Sequence, residues 1–461
     1  MRRLGGVDAA FLGMESTSVF LHVVAVSVYD PSTSPHTFDA EHAQRLLLSK
    51  IDQIPVLRQK LATVPGSFAR PYWVDDPDFD ITRHVFEHEV AAPGGREQLA
   101  DAISAICETA LDRRKPMWEM HVLTGIEGGL VAHALKLHHA AVDGATGVAI
   151  TRILNSTDPD DVEIGPAVPW HPDPAAPSSL NMLRRGVEDT ATTAKTLVGL
   201  GGSIVAMVPG VVRWVAGGKR PRLRTVPRVS FSSAITSRRA VAYTELDFAT
   251  VRSISKATGT TINDVVLTTC AIALREWLAR RGELPTKALL AGVPVSTREE
   301  GGSDDANQVT AVMTALPVHI ADPMEVLRVA AEDMRLQKQT IGLAPGDLTE
   351  RMTGLLPPVS AGLGSALLEV TRMMDRVPGM FNLSVSNVPG ARVAQYCTGA
   401  RLLRHFGFGF LTHGSGLNIT LDSRITTFDV SLMACPDQVD NVWDLADAMP
   451  RALDVLAAAA L

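Results

Sequence analysis

Residues 129–155, GLVAHALKLHHAAVDGATGVAITRILN, change hydrophobic period halfway along. Up to His139 the apolar side chains alternate, as in a strand. From Gly144 onward Val148, Thr151 and Leu154 recur at helical spacing. A strand that turns at once into a helix must lay that helix on its own sheet, which commits this region to an α/β arrangement. His138, His139, Asp143 and Gly144 all fall at the turn.

The same alternation recurs on both sides of a break. LHVVAVSVYD (21–30) reads as a β-branched strand, and residues 40–52 as a helix with Ala43, Leu46 and Leu47 on one face. Residues 155–180 are rich in Pro and Asp and read as a surface linker. After it, RRAVAYTELDF (238–248) reads as a strand. TINDVVLTTCAIALREWLARRG (261–282) reads as a long helix with a stripe at Val266, Cys270, Leu274 and Leu278, and Gly282 as its stop. KALLAGVPVSTRE, MFNLSVSNVPG and TTFDVSLMAC read as further strands. The expected organisation is two α/β halves, residues 1–170 and 236–461, joined by a connecting segment at 171–235.

A formal net charge of −7 argues against a nucleic-acid partner, which calls for a basic domain or patch. Cys107, Cys270, Cys397 and Cys435 form no C-x-x-C pair and read as reduced, buried thiols of a cytoplasmic chain. Asp8 and Glu15 interrupt the beginning of the chain, so no secretory signal is read there. No run of 18 apolar residues suggests a membrane span. Residues 196–212 carry no charge and are followed by Arg213, Lys219, Arg220, Arg222 and Arg224. That pairing predicts contact with an anionic membrane face or lipid-droplet surface. The plainer alternative is a helical hairpin packed on the protein itself.

In the strand before the turn, Leu135, Leu137 and His139 share a face, with Lys136 and His138 on the other. His139, at the end of an apolar row, is placed to be partly desolvated, as a general base requires. His138 reads as structural support. Asp143 has three available roles: to orient His139, to cap the following helix, or to pair with a distant arginine. Gly144 suits a tight turn. Metal binding by His138, His139 and Asp143 is disfavoured, because neighbouring side chains on a strand point apart. A serine nucleophile lacks its G-x-S-x-G setting.

HHAAVDG resembles the HHxxxDG motif of the CoA-dependent acyltransferase superfamily. LGGVDAAFLGMES, WVDDPDFDITRHV, LDRRKPMWEMHV, TINDVVL, PVSTRE, NLSVSNVPG and GLNIT, in order along nearly the whole chain, are similar to the bacterial wax ester synthase/diacylglycerol acyltransferase family. The resemblance implies two chloramphenicol-acetyltransferase-like domains with a tunnel between them. Acyl-CoA would be a substrate and no cofactor would be needed. The acceptor would be diacylglycerol or a long-chain alcohol, or else another hydrophobic alcohol of a complex lipid. A non-catalytic lipid-binding protein on the same fold is a rival reading.

It further implies that His139 is the base, within a catalytic group that includes His138, Asp143 and Gly144. Asn263 would donate to the oxyanion through its amide. Asp264 would stand nearby, although Thr261 and Asp264 also form a capping-box pattern. Arg298 would pair with Asp143, and Ser384 and Asn387 would line the tunnel. Trp118 is expected in the core, and Met117 replaces the usual leucine before it. After GLNIT the chain reads LDSRITTFDVSLMAC, without the tyrosine and glycine common in the family, which leaves the acceptor end of the tunnel open to question.

Overall fold

Hydrophobic alternation sorts most of the strands into two six-stranded sheets, the first with helices packed on both faces and the second with its helices on one. The computed structural model describes residues 1–67, 69–142, 144–172, 178, 180–189, 225–296, 309–341 and 358–461. The first half runs β1 (Arg2–Arg3), α1 (Gly6–Met14), β2 (His22–Asp30), α2 (Ala40–Lys50), β3 (Gln59–Ala62), β4 (Tyr72–Asp75), β5 (Val85–Glu89), α3 (Arg96–Cys107), β6 (Trp118–Ile126), β7 (Leu130–His138) and α4 (Gly144–Leu154). The second runs β8 (Ala240–Asp247), α5 (Phe248–Thr258), α6 (Ile262–Arg280), β9 (Leu289–Ser296), β10 (Val309–Leu316), α7 (Pro323–Ile341), α8 (Pro358–Thr371), β11 (Leu383–Pro389), β12 (Tyr396–Cys397), β13 (Ala400–Phe408), β14 (Leu417–Ser423), β15 (Thr427–Ala434) and α9 (Val442–Ala460).

The strand order is β12-β13-β2-β7-β6-β5 in one six-stranded sheet and β10-β9-β11-β14-β15-β8 in the other, with a small sheet β1-β4-β3 beside them. β12 and β13 come from the second half of the chain, yet they complete the first sheet. β13 pairs antiparallel with β2, Phe408 opposite Val24 and Gly407 opposite Ala25. The division at 171–235 therefore needs a correction: Tyr396–Phe408 belongs structurally with the first half. Of the connecting segment, residues 180–189 are helical and tie back to the first half through Asp189, which pairs with Arg3 and accepts from Tyr72. Phe231 joins the core of the second half. The apolar stretch 196–212 and the basic residues 213–224 lie outside the described residues.

The expected helices and strands appear close to their predicted places. In α6 the apolar stripe is broader than the spacing predicted, because Val265, Leu267, Ala271 and Ala273 are buried as well. The helix lies between the sheet and the helices around it, so more than one face is covered. In the second sheet Leu417, Ile419, Leu421, Phe428, Val430 and Leu432 point into the helical layer. Asn418, Thr420, Asp422, Asp429 and Ser431 are buried on the opposite side, which meets β13. Burying polar groups there is tolerable because they find hydrogen bonds.

All four cysteines are buried and none is bonded to another. No helix among the described residues is long and apolar enough to cross a membrane.

Candidate active site

β7 is held on both sides, by β2 and β6, so its end is rigid. The strand closes at His138, and His139 opens the turn. The backbone N–H of His139 donates to Leu21 O at 2.8 Å and that of His138 to Met117 O at 3.1 Å. These bonds fix the directions in which the two rings leave the chain.

His138 points inward and is fully buried. Its Nδ1 accepts the Ala140 N–H at 3.0 Å, which leaves the proton on Nε2. Nε2 lies 3.1 Å from Oε1 of Glu15. The same carboxylate receives the Arg113 guanidinium, with Nε at 3.0 Å, and the Leu21 N–H at 3.1 Å. Burial pushes the Glu15 carboxyl up, but hydrogen bonding and charge from His138 and Arg113 outweigh it and bring it down to about 2. His22 faces His138 across the β2–β7 pair, and burial drives it far below the usual histidine range. Lys136, on the same face, is also buried; its Nζ donates to Ile106 O, Thr109 O and Thr109 Oγ1. This end of the face is a polar cluster beside the apolar contacts that Ala132, Ala134, Val24 and Val26 share with α3.

His139 is half-buried and leaves in another direction. Its ring sits 4.6 Å from that of Phe11 on α1 and edge-on at 5.2 Å to Phe410. Phe11 and Phe410 also touch each other, 5.9 Å apart. The imidazole is thus walled by two aromatic rings from opposite halves of the chain, which restrict water without supplying a competing charge.

Phe410 ends the sequence FGFGF. Phe406 and Phe408 point into the first core. Gly407 and Gly409 face the second sheet, where side chains press close to the backbone. A Cβ at Gly409 would stand 2.5 Å from Nδ2 of Asn418, and one at Gly407 would stand 3.1 Å from Oδ2 of Asp422. The Asn418 amide is oriented by Thr420, whose hydroxyl donates to Oδ1 at 3.0 Å. Ser384 lies beside Asn418 in the β11–β14 register.

The other sequence-predicted residues fall in different places. Asp143, the Arg298 proposed as its partner, and the side-chain surroundings of Gly144 lie outside the described residues. Gly144 begins α4. Asn263 is half-buried in the first turn of α6. Asp264 closes a capping box, its Oδ2 accepting the Thr261 N–H at 2.9 Å and hydroxyl at 2.7 Å. A helix-start role, not substrate binding, is what that geometry supports. Ser384 and Asn387 are three residues apart on β11 and so point to opposite faces. Ser384 faces the seam between the halves; Asn387 is on the side of Leu383 and Val385, which enter the helical core. The pairing of these two as joint tunnel lining is corrected accordingly. Trp118 is buried as expected, its Nε1 donating to Leu57 O at 2.8 Å.

Sequence reasoning missed Glu15, Arg113, Phe11 and Phe410. The first two converge from segments far apart in the chain, with no local spacing to betray them. FGFGF carried a usable signal: glycines alternating with phenylalanines mark a strand with one core face and one face in close backbone contact.

Two cavities flank α4. One lies behind it, lined by Ala43, Leu46, Leu135, Ile150 and His133 among others; the second lies in front, lined by Arg152, Gly390, His405, Asp422 and Arg424. His139 lines neither cavity.

Two sheets sharing an exchanged strand, with the histidine turn at their junction, make this a two-domain acyltransferase of the HHxxxDG class with a chloramphenicol-acetyltransferase-like fold. The wax ester synthase/diacylglycerol acyltransferase catalytic-domain model matches residues 4–266, and the WS/DGAT C-terminal-domain model matches residues 306–457. The chain belongs to this family. A Mycobacterium tuberculosis protein described as a candidate diacylglycerol O-acyltransferase is 34% identical over 99% of this chain and 90% of its own length. The solved wax ester synthase/diacylglycerol acyltransferase of Marinobacter aquaeolei shares the fold at TM-score 0.70 and 24% identity, covering 99% of this chain and 98% of that one. The trichothecene 15-O-acetyltransferase of Fusarium sporotrichioides shares it at TM-score 0.58 and 13% identity, over 99% and 94%.

Proposed function

We propose that this acyltransferase moves the acyl group of an acyl-CoA to the free hydroxyl of diacylglycerol, with long-chain alcohols as a second class of acceptor. His139 is the general base. It takes the hydroxyl proton as the oxygen attacks the thioester carbonyl. The tetrahedral adduct then collapses, the C–S bond breaks, and the same proton passes to the departing thiolate. The products are CoA thiol and triacylglycerol or wax ester, with no acyl-enzyme between.

The observation that carries this reading is the division of labour at the motif. Both nitrogens of His138 are committed inward, to Ala140 and toward Glu15, whereas His139 is half-buried between two aromatic walls. A positioned base contributes about 10² to 10⁴-fold. Holding donor and acceptor together contributes through proximity, and exclusion of water protects the thioester. Work on insoluble acceptors suits a cytoplasmic chain that visits the inner membrane face or a lipid droplet.

The test is CoA thiol release from palmitoyl-CoA with dipalmitoylglycerol, hexadecanol or no acceptor, for wild type and His139→Ala. Acceptor-dependent release that collapses in the variant is expected. Release without acceptor would mean thioester hydrolysis, and undiminished transfer by His139→Ala would remove it as the base. Silence with every acceptor would favour a different alcohol or a lipid-binding protein.

A further inference from the structure

β13 has β2 on one side, but beyond Leu402 its other edge has no strand partner among the described residues; β12 reaches only Ala400 and Arg401. Side chains of the second sheet close that edge. Asp429 Oδ2 accepts the His405 N–H at 2.8 Å, Asp422 Oδ2 accepts the Gly407 N–H at 3.0 Å, and Ser431 Oγ donates to Gly407 O at 2.6 Å. Gly407 permits this, having no Cβ to fend off Asp422. Three residues on, just past the end of β13, Phe410 meets the ring of His139.

Asp422 and Asp429 are facing partners in the β14–β15 pair and both are buried. Two carboxyls so placed cannot both be charged without driving one toward water. The charges around them are unequal. Arg424, just past the end of β14, comes within 3.7 Å of Asp429. Arg404 on β13 is paired with Glu245 on β8, which itself faces Asp429. His405 on β13 is held neutral by burial, down to about 4. Arg152 on α4 lines the same cavity as Asp422, His405 and Arg424. The cationic help thus favours Asp429, and Asp422 is the member that keeps its proton.

We propose that Asp422 is a positioning residue for acyl transfer, one that ties β13 to the second sheet and thereby fixes Phe410 against His139. Burial and the neighbouring Asp429 raise the Asp422 carboxyl to about 8, against the opposing effects of the Gly407 N–H and Arg424. Near neutrality the clasp is closed. As Asp422 ionises, repulsion from Asp429 outweighs the stronger acceptor that the carboxylate offers the Gly407 N–H, so the seam opens, β13 loses its edge bonds, and the aromatic wall of His139 loosens. The proposal rests on His139 as the base.

Two measurements test it. The first is kcat and KM for palmitoyl-CoA and dipalmitoylglycerol from about pH 6 to 9.5, for wild type and Asp422→Asn. Because sub-ångström to ångström misplacement at a reacting centre is costly, wild-type kcat should fall about tenfold or more above pH 8, with KM little changed. In Asp422→Asn, which has no proton to lose there, the ratio of kcat at high pH to kcat at pH 7 should rise toward one. An alkaline fall equal in both proteins overturns the proposal. The second is hydrogen exchange of peptides covering residues 404–411 in the wild-type protein over the same range, corrected for intrinsic rates. Protection should fall as pH passes 8, and constant protection overturns the proposal even if the variant does not fold. If His139→Ala retains transfer while this protection still falls, the assignment of the base has failed and the clasp has not.

Discussion

Nε2 of His138 lies 3.1 Å from Oε1 of Glu15, and the other oxygen of that carboxylate is gripped by Arg113. The motif's first histidine is thus one end of a polar chain that ties the histidine turn to the end of α1 and to the segment after α3. Removing one partner of such a network leaves the others uncompensated, at a cost of about 3–5 kcal/mol for a fully buried pair. Arg113 is partly exposed, so the lower end applies. Glu15→Ala should lower the unfolding free energy by that order, seen as a lower urea midpoint. It should lower stability most above the ordinary carboxylate range, since a carboxyl held down to about 2 lends stability that disappears only as pH falls toward that value. An unchanged midpoint at pH 7 would show that the Glu15 network contributes nothing.

Phe410 and Phe11 bound the imidazole of His139, and their role is separable from that of the proposed base. Phe410→Ala opens one wall while leaving His139 in place. Water then competes with the alcohol for the thioester. CoA release without acceptor should rise as a share of the total, while ester formation falls. Measuring thiol and ester in the same reaction distinguishes this from a simple loss of activity; equal falls in both would show the ring acts only through stability.

Gly409 and Gly407 look alike in sequence but meet different neighbours. An added methyl at Gly409 strikes the amide of Asn418, a buried side chain pinned by Thr420. At Gly407 it meets Asp422 at a distance a small shift relieves. Overpacking of this kind costs about 1–3 kcal/mol. Gly409→Ala should therefore lower both the unfolding midpoint and kcat more than Gly407→Ala does. The reverse order in a paired urea titration would contradict the closeness of β13 to β14.

Much of this was legible in the chain. Period-two runs gave β2, β7, β8, β11 and β15, and the 3.6 period gave α2, α4 and α6, although β7 and α6 are covered on more than one face. The histidine turn stood out because strand and helix meet there without a loop. The exchange of β13 did not, since nothing local records which sheet a strand will join. Nor could Glu15 or Arg113 be found, because a buried ion pair is specified by where two distant segments end. Ser384 and Asn387 show a different failure: both are polar residues in one strand, but strand period puts them on opposite faces, and only one meets the seam.

Asn263 and Asp264 are neighbours with separable consequences. Asp264 accepts from the backbone and hydroxyl of Thr261. Asp264→Ala removes half of a capping box and should cost about 0.5–2 kcal/mol of stability, with kcat per folded molecule nearly unchanged. Asn263 lies in the same turn, and if its amide steadies the oxyanion, Asn263→Ala should lower kcat about 10² to 10³-fold at near-constant stability. Parallel losses in the two variants, in both thermal midpoint and rate, would assign Asn263 to the helix start as well.

The buried Asp422–Asp429 pair also sets how stability responds to pH. Burial, with the facing carboxyl adding to it for Asp422 and Glu245 for Asp429, raises Asp422 to about 8 and Asp429 to about 6 from an ordinary value of 3.8. Over that window the folded chain holds protons that the unfolded chain has released. Stability therefore falls as pH rises from the ordinary carboxylate value, and the loss is complete only above about 8. Most surface carboxylates have the opposite sign, so this contribution is recognisable. Urea unfolding at steps from about pH 5 to 9 should show a declining midpoint whose upper portion, between the two raised values, flattens in Asp422→Asn. Superimposable slopes for the two proteins would mean that Asp422 ionises in the folded chain as readily as in the unfolded one.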